Sequence, residues 1–232
     1  MKNLSVKYPI IFEIILFIIA LFAAAVLTTG IKLSGCEDDV SSSVARILVG
    51  IALLAVFHNC FRLDNVFRGF LIMLPILLLA FYKIPYHFIS GGGDTAEITL
   101  SVFLIGLAPA VFEEVLFRGI FIHNLKQKFN SPVAVVIVSA ALFSLVHLTN
   151  LVGMEPVSVI FQVIMSFVAG VVLGAVYLRT GDIFSVIFAH FAVDFLGSVF
   201  GGGETTPAYF LVIIIGLLLF ELIYGLMLAK KA

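Results

Sequence analysis

Residues 97–122 read EITLSVFLIGLAPAVFEEVLFRGIFI. Most of this stretch is apolar, and its length suits a helix crossing a bilayer core, which takes about 17–25 residues. It nevertheless carries Glu113, Glu114 and Arg118. A charge at the bilayer centre costs at least about 2.5–3.5 kcal/mol on insertion scales, so each needs a partner or a task.

The rest of the chain places this stretch in lipid. Of its 232 residues, 62% are hydrophobic and 12% charged, with a mean hydropathy of +1.23. A soluble domain carries about 25% charged residues, and too few are present here to cover a surface facing water. The expected fold is all-α and integral to the membrane. Apolar stretches near 9–31, 44–61, 67–86, 97–122, 131–149, 157–178, 183–200 and 208–229 give about eight transmembrane helices. The joints are too short for a soluble domain. The run from Pro9 to Ile31 exceeds the apolar core of a signal peptide, about 7–15 residues, and reads as an uncleaved first span. A net charge of −1 suggests no nucleic-acid partner. Cys36 and Cys60 fall on opposite faces and cannot bridge.

Lys and Arg gather on cytoplasmic loops. With eight crossings, Lys2, Lys7, Arg62, Arg68, Lys126, Lys128, Arg179, Lys230 and Lys231 share one face. Lys32, Arg46 and Lys83 fall at the other, with Glu37, Asp38, Asp39, Asp94, Glu97, Glu155 and Glu204. Both termini are therefore expected in the cytoplasm.

Glu114 and Arg118, four residues apart, share a helix face and can pair. Glu113 is left without that partner, and an unpaired carboxylate in an apolar medium is a candidate proton acceptor. His147 follows Phe143 by four residues in the fifth span, and Asp194 follows His190 by four in the seventh. At about 1.5 Å per residue, antiparallel helices bring most of these groups to similar depth, predicting one polar intramembrane cavity. Glu13, about one turn inside the first span, is expected to snorkel to the interface. Glu221 is deeper and reads as a partner of Arg46 or a second polar site. His58, His87 and His123 read as interfacial. Gly170 and Gly174 permit close helix packing.

Glu-Glu-x-x-x-Arg at 113–118, Phe-x-x-x-His at 143–147 and His-x-x-x-Asp at 190–194, in this order and on separate spans, resemble the CPBP family. That group comprises intramembrane proteases related to the Rce1-type CAAX prenyl endopeptidase and to bacteriocin-processing or immunity proteins. The resemblance divides the chain into variable N-terminal spans (1–96), a catalytic core (97–200) and a C-terminal span (201–232). It implies an endopeptidase acting on lipidated or membrane-embedded peptides, near the cytoplasmic half of a prokaryotic inner membrane. Glu113 would activate water, His147 would assist proton transfer, and Glu114 with Arg118 would hold the geometry. His190 and Asp194 would line the oxyanion side. Metal-dependent and metal-free mechanisms both stand for this family. Glu113, His147 and His190 are candidate zinc ligands. Asp194 departs from the Asn common in Rce1-like members. An ionised Asp repels an oxyanion, so orienting His190 is its first expected task.

Two other classes fit the same residues. A proton-coupled transporter also uses intramembrane Glu, His and Asp, though the inverted repeats and broken spans of such proteins are not evident. A non-catalytic membrane partner, such as a bacteriocin-immunity protein, would keep the cluster for folding. Membrane lipids surround the chain in every case.

Overall fold

The computed structural model describes residues 2–61, 65–92, 94–201 and 208–232. Arg62, Glu204 and part of each Gly-Gly-Gly joint lie outside the described residues. The secondary structure described is helical, with no β-strand. In chain order the helices are α1 (Lys2–Lys7), α2 (Pro9–Lys32), α3 (Asp38–Val56), α4 (Val66–Phe81), α5 (Lys83–Ile89) and α6 (Leu100–Glu114). A π-helical segment (Val115–Phe121) links α6 to α7 (Ile122–Lys126). Then come α8 (Pro132–Leu145), a 3-10 segment (Val146–Val152), α9 (Pro156–Thr180), α10 (Ile183–Val199) and α11 (Ala208–Ala229).

Among the described residues, seven helical stretches are long and apolar enough to cross a membrane. They are Pro9–Lys32, Asp38–Val56, Val66–Ile89, Leu100–Lys126, Pro132–Val152, Pro156–Thr180 and Tyr209–Ala229. The eighth expected span is present as α10, which at 17 residues is shorter than these. Several spans are irregular inside. The third is divided at Tyr82, and the fifth tightens from α to 3-10 after Leu145, so His147 stands on the 3-10 part.

Local chemistry sets the turns. Gly181 takes a left-handed conformation at φ +72°, which a side chain resists, and so closes α9. Asp182 then accepts from the backbone N–H groups of Phe184 (3.0 Å) and Ser185 (3.1 Å), capping α10. This tight turn sends α10 back antiparallel to α9. Ser131 caps α8 in the same way, with Pro132 in the first turn.

α6 and its π extension form the axis of the bundle. α3 lies on one side of α6 and α10 on another; α4 packs on α10, and α9 is held between α8 and α11. Every side chain from Val115 to Phe121 is buried. Gly106 allows α6 to approach α10 closely, since a Cβ there would lie 3.0 Å from the Phe195 backbone nitrogen. Gly170 brings α9 equally near Ala140 of α8. Large apolar groups such as Ile18, Phe22, Ile160 and Val212 point outward, as lipid-facing surfaces require.

The outlying acids differ from expectation. Glu13 turns inward rather than snorkelling, and Glu221 is fully buried and makes no pair with Arg46. Neither carboxylate has a hydrogen-bond partner among the described residues. His87, at the end of the third span, is buried by protein, its Nδ1 2.8 Å from the Gly201 carbonyl oxygen.

Candidate active site

The last residues of α6 present two adjacent carboxylates to α10. Glu114 is wholly buried. Its Oε1 accepts from Arg118 Nη1 at 2.7 Å, and His190 Nδ1 lies 2.8 Å from the same oxygen. Arg is a donor only, so Oε1 is an acceptor and the His190 Nδ1–H must donate to it. Behind this contact the Arg118 guanidinium stacks on the Phe143 ring, 4.1 Å from its centroid. That placement supports the cation both electrostatically and by packing.

Glu113 faces the open side. Its side chain is 21% exposed against 0% for Glu114, so solvent reaches the first carboxylate and not the second. Glu113 Oε2 stands 3.9 Å from His190 Nε2. The same nitrogen lies 3.3 Å from Asp194 Oδ2, one helical turn along α10. Both glutamates meet His190. The imidazole lies between them, with Glu114 at one nitrogen and Glu113 at the other.

His147 reaches the same space from the 3-10 segment. Its Nδ1 lies 3.0 Å from the Phe143 carbonyl oxygen, to which a ring N–H there donates, leaving Nε2 as the available nitrogen. The Phe143 ring lies edge-on between the histidines, 5.2 Å from His147 and 5.9 Å from His190 by centroids.

These groups border a cavity of about 660 Å³ whose wall includes Glu113, His147, His190 and Asp194. Glu114 and Arg118 sit behind it. Further polar residues line the cavity and were not singled out as site residues from sequence, among them Arg46, Lys83, Asn150 and Gln162. Asn150 donates to Gln162 at 2.8 Å, linking the 3-10 segment to α9. Arg46 and Lys83 had left a trace, being cations inside otherwise apolar stretches.

From the middle of the bundle the cavity lining extends toward the ends away from the basic joints. Arg46 is midway along α3, Lys83 opens α5, Gln162 is in the second turn of α9, and Ser198 is near the end of α10. The ends near Lys83, Gln162 and Ser198 are opposite those carrying Lys126 and Arg179. The lining thus extends toward the helix ends away from Lys126 and Arg179, whereas the expected site lies near the cytoplasmic half.

Glu113, His147 and His190, the candidate zinc set, all border the one cavity. Among the described residues no group of three or more His, Cys, Asp or Glu is placed to hold an ion. His190 has Nδ1 committed to Glu114, while its Nε2 faces Asp194.

Residues 95–196 match the family model described as Type II CAAX prenyl endopeptidase Rce1-like. No curated protein and no solved structure matches the chain.

Proposed function

We propose that this membrane chain, Rce1-like over residues 95–196, is an intramembrane endopeptidase that hydrolyses lipidated or membrane-embedded peptides with a water activated by Glu113. The observation that carries the reading is the division of labour between adjacent carboxylates. Glu114 is sealed against Arg118 and His190, while Glu113 opens into the cavity 3.9 Å from His190 Nε2.

In this mechanism Glu113 takes a proton from water as the oxygen attacks the scissile carbonyl carbon. The proton passes to the amide nitrogen as the C–N bond breaks, and His147 Nε2 assists the transfer. A positioned proton-transfer group contributes about 10²–10⁴-fold. His190 stands on the other side. Its Nδ1–H is donated to Glu114, so its Nε2 and the Asp194 carboxyl cannot meet at 3.3 Å as two lone pairs. A proton must sit on that contact, on one partner or the other. Asp194 in this role orients His190 and keeps a proton beside the developing oxyanion, so an acid in place of Asn is compatible with catalysis.

The test uses protein purified into lipid nanodiscs and a panel of prenylated and transmembrane peptides, with cleavage read by mass spectrometry. The expected result is cleavage by wild type, loss by at least about 100-fold in Glu113→Gln, and no change with chelator. Cleavage retained in Glu113→Gln overturns the assigned base. Loss with chelator and recovery with zinc moves the chemistry to a metal. Proton-coupled flux in liposomes without proteolysis replaces the reading with a carrier.

A further inference from the structure

We infer that Arg46 and Lys83 form an anion-binding collar above the reacting groups, which holds a carboxylate of the substrate on the mouth side of the scissile bond. This deepens the endopeptidase reading and rests on it for the identity of the ligand, though not for the existence of the subsite.

Lys32, Arg46 and Lys83 belong to the face opposite the basic joints. Lys32 is neutralised by Asp38 at 2.8 Å on the surface. Arg46 and Lys83 have no ion-pair partner among the described residues, and both border the cavity. Cations inside a membrane bundle are costly and mark pathways or ligand sites when no side chain pairs with them. Asp194 is the acidic group whose charge reaches Lys83, but it is already in contact with His190.

Helix register fixes the height of the pair. Gly50 of α3 lies against Val111 and Phe112 of α6, next to Glu113. Arg46 is four residues before Gly50, so it sits about 6 Å nearer the mouth at about 1.5 Å per residue. The Lys83 ammonium lies over Gly197, where any Cβ would meet it. Gly197 is three residues beyond Asp194, about 4.5 Å toward the mouth. Both cations therefore stand roughly one helical turn above the Glu113 and Asp194 layer. That distance is about two residues of extended peptide. An Arg offers a planar fork and a Lys a point charge, and both are suited to an oxyanionic group.

The carboxylate could come from the free C-terminus of a substrate cut near its end or from an acidic side chain. The experiment separates these sources and separates binding from turnover. Glu113→Gln protein in nanodiscs is titrated with three fluorescent prenylated hexapeptides. One has a free C-terminal carboxylate, one a C-terminal amide, and one an amide with Glu at the penultimate position. The expected result is that the plain amide binds about ten-fold or more weakly, the loss of one charge-assisted contact. The difference should vanish in Arg46→Gln/Lys83→Gln and return in the charge-keeping Arg46→Lys/Lys83→Arg. Recovery of binding by the Glu-bearing amide assigns the collar to an acidic side chain, and failure to recover assigns it to the C-terminus. Equal binding of acid and plain amide overturns the inference, as does binding of none of the three. Thermal unfolding of each variant shows whether a loss reflects misfolding. Discrimination that persists when wild type cleaves no peptide sinks the protease reading and leaves the collar standing.

Discussion

His190 Nδ1 lies 2.8 Å from Glu114 Oε1, and this buried contact ties α10 to α6 at the site. One carboxylate oxygen serves both Arg118 and His190, so an intrahelical ion pair also becomes a crosslink between helices.

Removing one side of that pair should be worse than removing both. Arg118 and Glu114 have fully buried side chains, so Glu114→Ala strands an unpaired cation and should destabilise by about 3–5 kcal/mol. The double variant Glu114→Met/Arg118→Met should lose clearly less than the sum of the single changes. Reversible unfolding in mixed micelles measures the cycle, and strict additivity would contradict the pairing.

Asp194 is expected to tolerate amidation. Asn keeps an acceptor for a His190 N–H and adds a donor of its own, so Asp194→Asn should stay within about ten-fold of wild type in cleavage. Asp194→Ala should fall by about 100-fold, the low end of what a proton-transfer group contributes. The pH–rate profile is the sharper readout. A limb that depends on Asp194 must disappear in both variants.

Gly119 lies inside the π-helical segment, where a Cβ would run into the Phe61 ring. Gly119→Ala should destabilise by about 1–3 kcal/mol through overpacking. Phe61→Ala in the same chain should recover part of that loss. Absence of coupling in the double variant would show that the ring can move away freely.

The native thiols report orientation. Cys36 is exposed beside the α2–α3 turn, and Cys60 is half-buried near the opposite face. If the basic joints are cytoplasmic, a membrane-impermeant maleimide should label Cys36 in intact cells and Cys60 only after lysis. The reverse pattern would turn the cavity mouth toward the cytoplasm.

Hydropathy made the helices legible, because a lipid-facing stretch has little freedom in composition. The three paired motifs pointed to Glu113, Glu114, Arg118, His147, His190 and Asp194, which the fold gathers around one cavity and its back wall. What sequence could not show was direction. The turns that follow Glu114 and Leu145 wind as π and 3-10 helix rather than α, and such changes of pitch arise from packing, not from local propensity. The shared contact of both glutamates with His190 depends on how α6 is rotated against α10, which spacing does not give. The inward turn of Glu13 was hidden for the same reason, since depth along a helix is readable from sequence while rotation against its neighbours is not. Arg46 and Lys83 appeared in the charge count as stray residues of the less basic face, and only the cavity gave them a common purpose.

The size of the void carries a further consequence. About 660 Å³ is room for about twenty water molecules at about 30 Å³ each, while hydrolysis of a peptide bond consumes a single one. A peptide strand that fills the void must drive out nearly all the others. Expelling that water lowers the effective dielectric between the lining charges and strengthens their mutual pull. The substrate would thereby sharpen the very field that cuts it, and an idle enzyme would stay comparatively inert within the membrane that houses it.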